Sequence, residues 1–174
     1  YKHTPKLEDR PKIKGLINRG ANLCVNKERI NDFQELGIDP VYGAEEAIKQ
    51  ASVVIDCTPK GTGLMNKEKY YKKYKDRVKG FLAQGSEFGF GKMFAVGIND
   101  EAITKKDQFI HIVSCNTHNI AVIINTLAID DKKNHLKEGR FLCIRRANDI
   151  SQVKSFIPSP EVGSHKDAKM GTHH

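Results

Sequence analysis

The sequence predicts an α/β protein built on a doubly wound parallel sheet. Two observations carry that expectation. Short apolar, β-branched runs alternate along the chain with stretches of helical spacing. Several of the apolar runs also run straight into loops rich in glycine and small polar residues.

The elements follow in order. "KERINDFQELGI" has apolar spacing suited to a helix, closed by Gly37. "AEEAIKQAS" reads as a second, short helix. "VVIDCTPKGTG" reads as a buried strand running straight into a Pro/Gly loop, and "NKEKYYKKYKDR" as the helix after it. "VKGFLAQGS" is a strand then a loop, "KMFAVGIND" another strand, and "QFIHIVSCNT" a strand that ends at Cys115. "GRFLCIRRAND" is expected to be a late strand leaving through Arg145 and Arg146. No internal repeat or low-complexity segment interrupts the pattern.

Composition narrows the class. With 174 residues, 39% hydrophobic and 29% charged, the chain can bury a core in one domain or two small ones. No apolar run approaches the roughly 18 residues needed to cross a bilayer. The four cysteines, Cys24, Cys57, Cys115 and Cys143, form no CxxC pair. Neither a disulfide framework nor a metal site is expected, and the reducing cytoplasm is the expected compartment. Much of the net charge of +8 comes from "NKEKYYKKYKDRVKG". That stretch reads as a solvated lysine face. An RNA surface would use the same lysines with Tyr70, Tyr71 and Tyr74, and positive charge also gathers phosphorylated small molecules. The solvated face is preferred, so nucleic acid is not an expected partner.

In doubly wound sheets, ligands sit at the carboxyl ends of the strands. Three strand ends carry suitable chemistry: "DCTPKGTG" and "AQGSE" offer glycine loops, and "SCNT" offers a nucleophile. Cys115 lies between the apolar runs 109–113 and 120–124, where a strand hands over to a helix. A thiolate there would be favoured by the free N–H groups and dipole of the helix start. Cys115 is therefore the candidate nucleophile. Cys24, Cys57 and Cys143 read as packing or supporting residues.

"VVIDCTPKGTGLMNKEKYYKK", "FLAQGSE", "IVSCNT" and "IRRAND" occur in that order, and the chain resembles the archaeal-type (type II) phosphorylating glyceraldehyde-3-phosphate dehydrogenases from "YKHTP" to "PSPEVGSH". The resemblance implies a partial Rossmann-like doubly wound parallel sheet followed by the start of an α+β catalytic domain. Residues 1–113 would be the NAD(P)-binding domain without its first βα unit, and 114–174 the beginning of the catalytic domain. The chain would thus be an internal fragment, inactive alone, of a cytoplasmic homotetramer. The implied reaction oxidises glyceraldehyde 3-phosphate, with phosphate, to 1,3-bisphosphoglycerate in glycolysis and gluconeogenesis. Cys115 would form the thioester, using NADP or NAD as cofactor.

The same resemblance assigns roles by position. Ser114, Cys115 and Asn116 match the substrate-binding triplet, with Thr117 close to a phosphate site. Thr58 and Pro59 match the loop beside the cofactor, and Gln84, Gly85 and Ser86 the loop near the nicotinamide. Arg146 matches a cofactor-site arginine. Lys2 and Thr4 fall where the adenosine ribose is contacted, and the absence of a carboxylate in "YKHTP" tilts the expectation towards NADP.

The departures are as specific. "SCNTHNIAV" stands where the family reads "SCNTTGL" and then arginine, Ser86 replaces a glycine, and "VKSF" shortens a "KKGPIN" stretch. "GSHKDAK" keeps one histidine of a usual His-His-Gly, His165. His118 is expected to be a surface or core-capping histidine rather than a base. Two rivals share some features: another acyl-phosphate reductase, such as an aspartate-semialdehyde dehydrogenase, and a catalytically inactive basic RNA-binding protein.

Overall fold

The fold is given by a computed structural model that describes residues 1–85, 87–130 and 133–142. Helices and strands alternate as expected, and four strands form a parallel sheet of the doubly wound, Rossmann-like kind. These are β3 (Val53–Asp56), β4 (Gly80–Gln84), β5 (Lys92–Phe94) and β6 (Phe109–Ile112), in the order β3-β4-β6-β5. The chain divides into two compact units, Tyr1–Asp56 with Leu64–Leu82, and Cys57–Gly63 with Ala83–His174.

The first unit starts with α1 (Arg10–Ile17), whose Pro11 sits in the first turn, where its missing N–H costs nothing. Two short parallel strands, β1 (Cys24–Val25) and β2 (Tyr42–Gly43), follow with the registers Cys24↔Tyr42 and Val25↔Gly43. Between them α2 (Ile30–Glu35) ends at Gly37, whose φ of +64° suits glycine. Ile13, Leu23, Val25, Phe33 and Ile38 form the core here, with Ile17, Ile30 and Leu36 packed against it. α3 (Ala44–Gln50) leads into β3.

A second buried group surrounds the end of β3. Asp56 is 3% exposed, and its Oδ2 accepts hydrogen bonds from the Tyr71 hydroxyl at 2.6 Å and the Asn66 amide at 3.0 Å. The Tyr71 ring stacks on Phe81 with centroids 5.1 Å apart. This group explains a difference from the expected helix over 66–77. α4 instead covers Thr62–Lys69, and a 3-10 turn, Tyr71–Tyr74, follows. The chain leaves the helix at Tyr70 so that Tyr71 can turn inward while its lysine neighbours stay outside.

β3 differs from expectation too. It is not buried throughout: Val53 and Ile55 are 47% and 66% exposed, while Asp56 at its end is buried. Successive side chains point to opposite faces, and β3 lies at the edge of the strand order with one of its faces open.

In the second unit β5 pairs with β6 in parallel, with Lys92↔Ile110, Met93↔His111 and Phe94↔Ile112 in register. Phe90 is fully buried and meets Phe109 edge to face at 5.7 Å. α5 (Cys115–Ala128) follows β6, and a small antiparallel hairpin, β7 (Ile129–Asp130) with β8 (Lys133–Asn134), comes next. Of the late strand expected in "GRFLCIRRAND", residues 139–142 belong to no helix or strand, and the rest lie outside the described residues. No described helix is long and apolar enough to cross a membrane.

Candidate active site

The site is built at the carboxyl ends of the strands, all within the second unit. At the end of β6 the backbone of Ser114 is extended, with φ −66° and ψ 158°, and Cys115 is the first residue of α5. Ser114 caps the helix: its Oγ accepts the Thr117 N–H at 3.3 Å, and the two hydroxyls lie 3.0 Å apart. The amides of Cys115 and Asn116 belong to the first helical turn, which has no intrahelical acceptor for them. The thiol is exposed and lies 4.0 Å from the Asn116 Oδ1. An exposed sulfur flanked by first-turn amides can attack a carbonyl and also receive the oxyanion that forms.

Beside it, the end of β4 is fastened to β6. The Gly85 N–H donates to the Ile112 carbonyl at 3.1 Å, and the Nε2 of His111 lies 2.9 Å from the Gly85 carbonyl. A carbonyl can only accept, so Nε2 carries the proton, and among the described residues the buried Nδ1 has no hydrogen-bond partner. Gly85 has a φ of +70°, and among the described residues nothing lies within 4 Å of where its side chain would stand. Gln84 next to it is exposed. A flat ring, as the expected nicotinamide would need, thus has room beside Gly85.

The loop Cys57–Gly63 completes the described part. Cys57 and Pro59 are exposed and Thr58 is half-buried. The Pro59 carbonyl accepts the Thr62 N–H at 3.0 Å, and Gly61 takes a φ of +84°. The Gly61 N–H donates to the carboxylate of Glu87, a residue only 1% exposed.

Of the residues singled out from sequence, Thr58, Pro59, Gln84, Gly85, Ser114, Cys115, Asn116 and Thr117 belong to this unit. Lys2 and Thr4 belong to the first unit. Lys2 is already paired: its Nζ lies 2.6 Å from Asp9, and its N–H donates to the Cys24 carbonyl. The hydrogen bond from Lys2 holds the Asp9 carboxyl below the usual carboxylate range. Ser86, Arg146 and His165 lie outside the described residues. His118 is bound through Nε2 to the Val96 carbonyl at 2.9 Å.

Sequence reasoning missed Glu87, His111 and the exposure of Cys57. A carboxylate inside a glycine loop and a histidine inside an apolar run were the available signals. Among the described residues, no group of three or more His, Cys, Asp or Glu could hold a metal ion. In the lysine-rich stretch, Lys72 pairs with Glu68 and Lys69 lies over the Tyr70 ring at 5.1 Å. Those contacts suit a solvated face.

No family model matches the chain. Individual proteins do. The glyceraldehyde-3-phosphate dehydrogenase of Metallosphaera sedula is 33% identical over 162 residues, 88% of this chain and 45% of its own length. That of Methanobacterium formicicum is 33% identical over 166 residues, 91% of this chain and 46% of its own. The chain belongs to the archaeal-type glyceraldehyde-3-phosphate dehydrogenase family. A third member, from Pyrobaculum neutrophilum, is 30% identical over 149 residues, 83% of this chain and 42% of its own. The chain thus spans about half the length of the curated relatives it matches.

Proposed function

We propose that the chain carries the nucleophile and much of the cofactor pocket of a phosphorylating glyceraldehyde-3-phosphate dehydrogenase, acting in the cytoplasm as a homotetramer. The observation that carries this is the exposed Cys115 at the first position of α5, directly after β6. Residues 1–113 then serve the cofactor and 114–174 open the catalytic domain.

In this reading the Cys115 sulfur attacks the aldehyde carbon of glyceraldehyde 3-phosphate, and the amides of Cys115 and Asn116 receive the oxyanion of the thiohemiacetal. When bound, NADP or NAD supplies the hydride acceptor. The carbon then stands as a thioester on Cys115. Phosphate attacks that carbon, the C–S bond breaks, and 1,3-bisphosphoglycerate leaves with Cys115 restored. A thioester retains enough energy to form the acyl phosphate, and the two-stage route divides one hard step into two easier ones. Ser114 and Thr117 keep the start of α5 in register, and Thr58, Pro59, Gln84 and Gly85 border the cofactor. Arg146 and Ser86 would join them at the cofactor, and His165 at the substrate.

The test uses the full-length protein. Cys115→Ser is expected to abolish NAD(P)H production from glyceraldehyde 3-phosphate and phosphate while cofactor binding persists. Iodoacetamide is expected to label Cys115 ahead of Cys24, Cys57 and Cys143. Turnover by the Cys115→Ser protein would end this assignment.

A further inference from the structure

Buried carboxylates are rare without a task, and Glu87 has none in the chemistry above. Its neighbours suggest what it does. Glu87 follows the Gly85 turn after β4, and its Oε1 accepts the N–H of Gly61, 26 residues earlier. Gly61 immediately precedes α4, so the carboxylate lies at the start of that helix. The first-turn N–H groups and the helix dipole favour an anion at such a place. Gly63 is shaped to the same group: a Cβ there would stand 3.0 Å from Oε2 and 3.1 Å from both Cδ and Cγ of Glu87. The buried Gly63 leaves the slot the carboxylate needs.

Helix starts of this kind commonly hold a ligand's phosphate. Here the protein's own carboxylate takes that position. The loop with Thr58 and Pro59 and the loop with Gln84 and Gly85 are thereby tied to one another through a side chain. The second loop is tied in turn to β6 through His111 and Ile112.

We propose that Glu87 is a positioning residue: its buried carboxylate latches the Cys57–Gly63 loop to the Gln84–Gly85 loop and fixes the two walls of the cofactor pocket. The proposal rests on reading those loops as cofactor-binding. Glu87 touches no reacting atom; it acts through Gly61. The helix start at α4 is consequently closed to the pyrophosphate of the dinucleotide.

The experiment uses the full-length protein and its Glu87→Ala, Glu87→Gln and Gly63→Ala variants. Three readouts are taken: hydrogen exchange at the Gly61 amide without cofactor, NADH and NADPH binding by fluorescence titration, and the rate of iodoacetamide labelling at Cys115. Glu87→Ala is expected to remove the protection of Gly61 and weaken binding of the preferred cofactor by about tenfold or more, as for loss of a buried acceptor. Cys115 labelling is expected to stay within about twofold, because α5 keeps its own cap. Glu87→Gln keeps an oxygen for Gly61 and is expected to restore protection and most of the affinity. Gly63→Ala pushes on the intact carboxylate and is expected to weaken binding in the same direction, which keeps the proposal testable if Glu87→Ala does not fold. Loss of Gly61 protection with unchanged cofactor affinity would overturn the positioning role while leaving the functional reading in place. Failure of the parent protein to bind either nucleotide would overturn the functional reading and this proposal with it.

Discussion

Replacing Tyr71 by Phe removes one oxygen from the group around Asp56 and leaves everything else in place. The ring stays stacked on Phe81, at 5.1 Å and 20° between planes, so the apolar contribution is unchanged. What is lost is a 2.6 Å hydrogen bond from a buried hydroxyl to a carboxylate that is 3% exposed. Hydrogen bonds to charged groups contribute about 1.5–3 kcal/mol. Asn66 still donates to the same Oδ2 at 3.0 Å, so the carboxylate keeps a partner and the loss falls towards the lower half of that range.

The expected destabilisation is therefore about 1.5–2 kcal/mol, read from the urea midpoint at an unchanged m value. Asn66→Ala alone should cost less, because its bond to the same carboxylate oxygen is longer. The double variant should depart from additivity by about 0.5 kcal/mol or more, since both donors share one oxygen. A Tyr71→Phe protein within about 0.5 kcal/mol of the parent would show that the hydroxyl contributes nothing there. The account of why α4 stops at Lys69 would fall with it.

Three further predictions follow from other parts of the chain. A Cβ at Gly91 would stand 2.1 Å from the Phe109 carbonyl oxygen and 2.2 Å from its carbon, so Gly91→Ala must push β5 off β6; a loss of about 3 kcal/mol or more is expected, and parent-like thermal unfolding would contradict the pairing. Asp107 is held down to about 2, chiefly by the hydrogen bond from Lys92 and then by those from Thr104. Its folded value lies below the ordinary 3.8, so its contribution is complete above that value and is lost as pH falls through about 2; carbon NMR titration of the carboxyl should show the low midpoint, and Lys92→Met should move it up. Lys2 is paired with Asp9, so Asp9→Asn should free the ammonium and shift the ratio of NADP to NAD affinity towards NADP, whereas Lys2→Glu should shift it the other way; a ratio that neither variant changes would place the ribose contact elsewhere.

What the sequence revealed follows the distance over which each feature is decided. α2, α3, β4, β5 and β6 were legible because an apolar run and its stop signal lie within a dozen residues of each other. The start of α5 was legible for the same reason: Ser114 finds its partner at Thr117, so the short motif contains the whole interaction. β1 and β2 are two residues long and carry no period to read. The end of α4 was misplaced because "NKEKYYKKYKDR" has helical spacing throughout, and the residue that stops the helix answers to Asp56, 15 residues earlier.

The same reasoning separates the two kinds of site residue. Cys115, the proposed nucleophile, stands out because its exposure is written into the polar residues around it. A residue that holds a pocket in shape must be buried, and its partner can lie anywhere in the chain. Glu87 in "GSEFG" looks like ordinary turn polarity until Gly61 is seen to donate to it. Its second signature, the Gly63 slot, is also a glycine among glycines in "KGTG". Lys2 lies between these cases: its charge invites a phosphate, but Asp9, only seven residues later, supplies an anion of the protein's own. In both cases the fold supplies a partner that the sequence does not show. A charged group read alone suggests a ligand of opposite sign or a hydrated surface, and only the fold shows when the chain has already provided its partner.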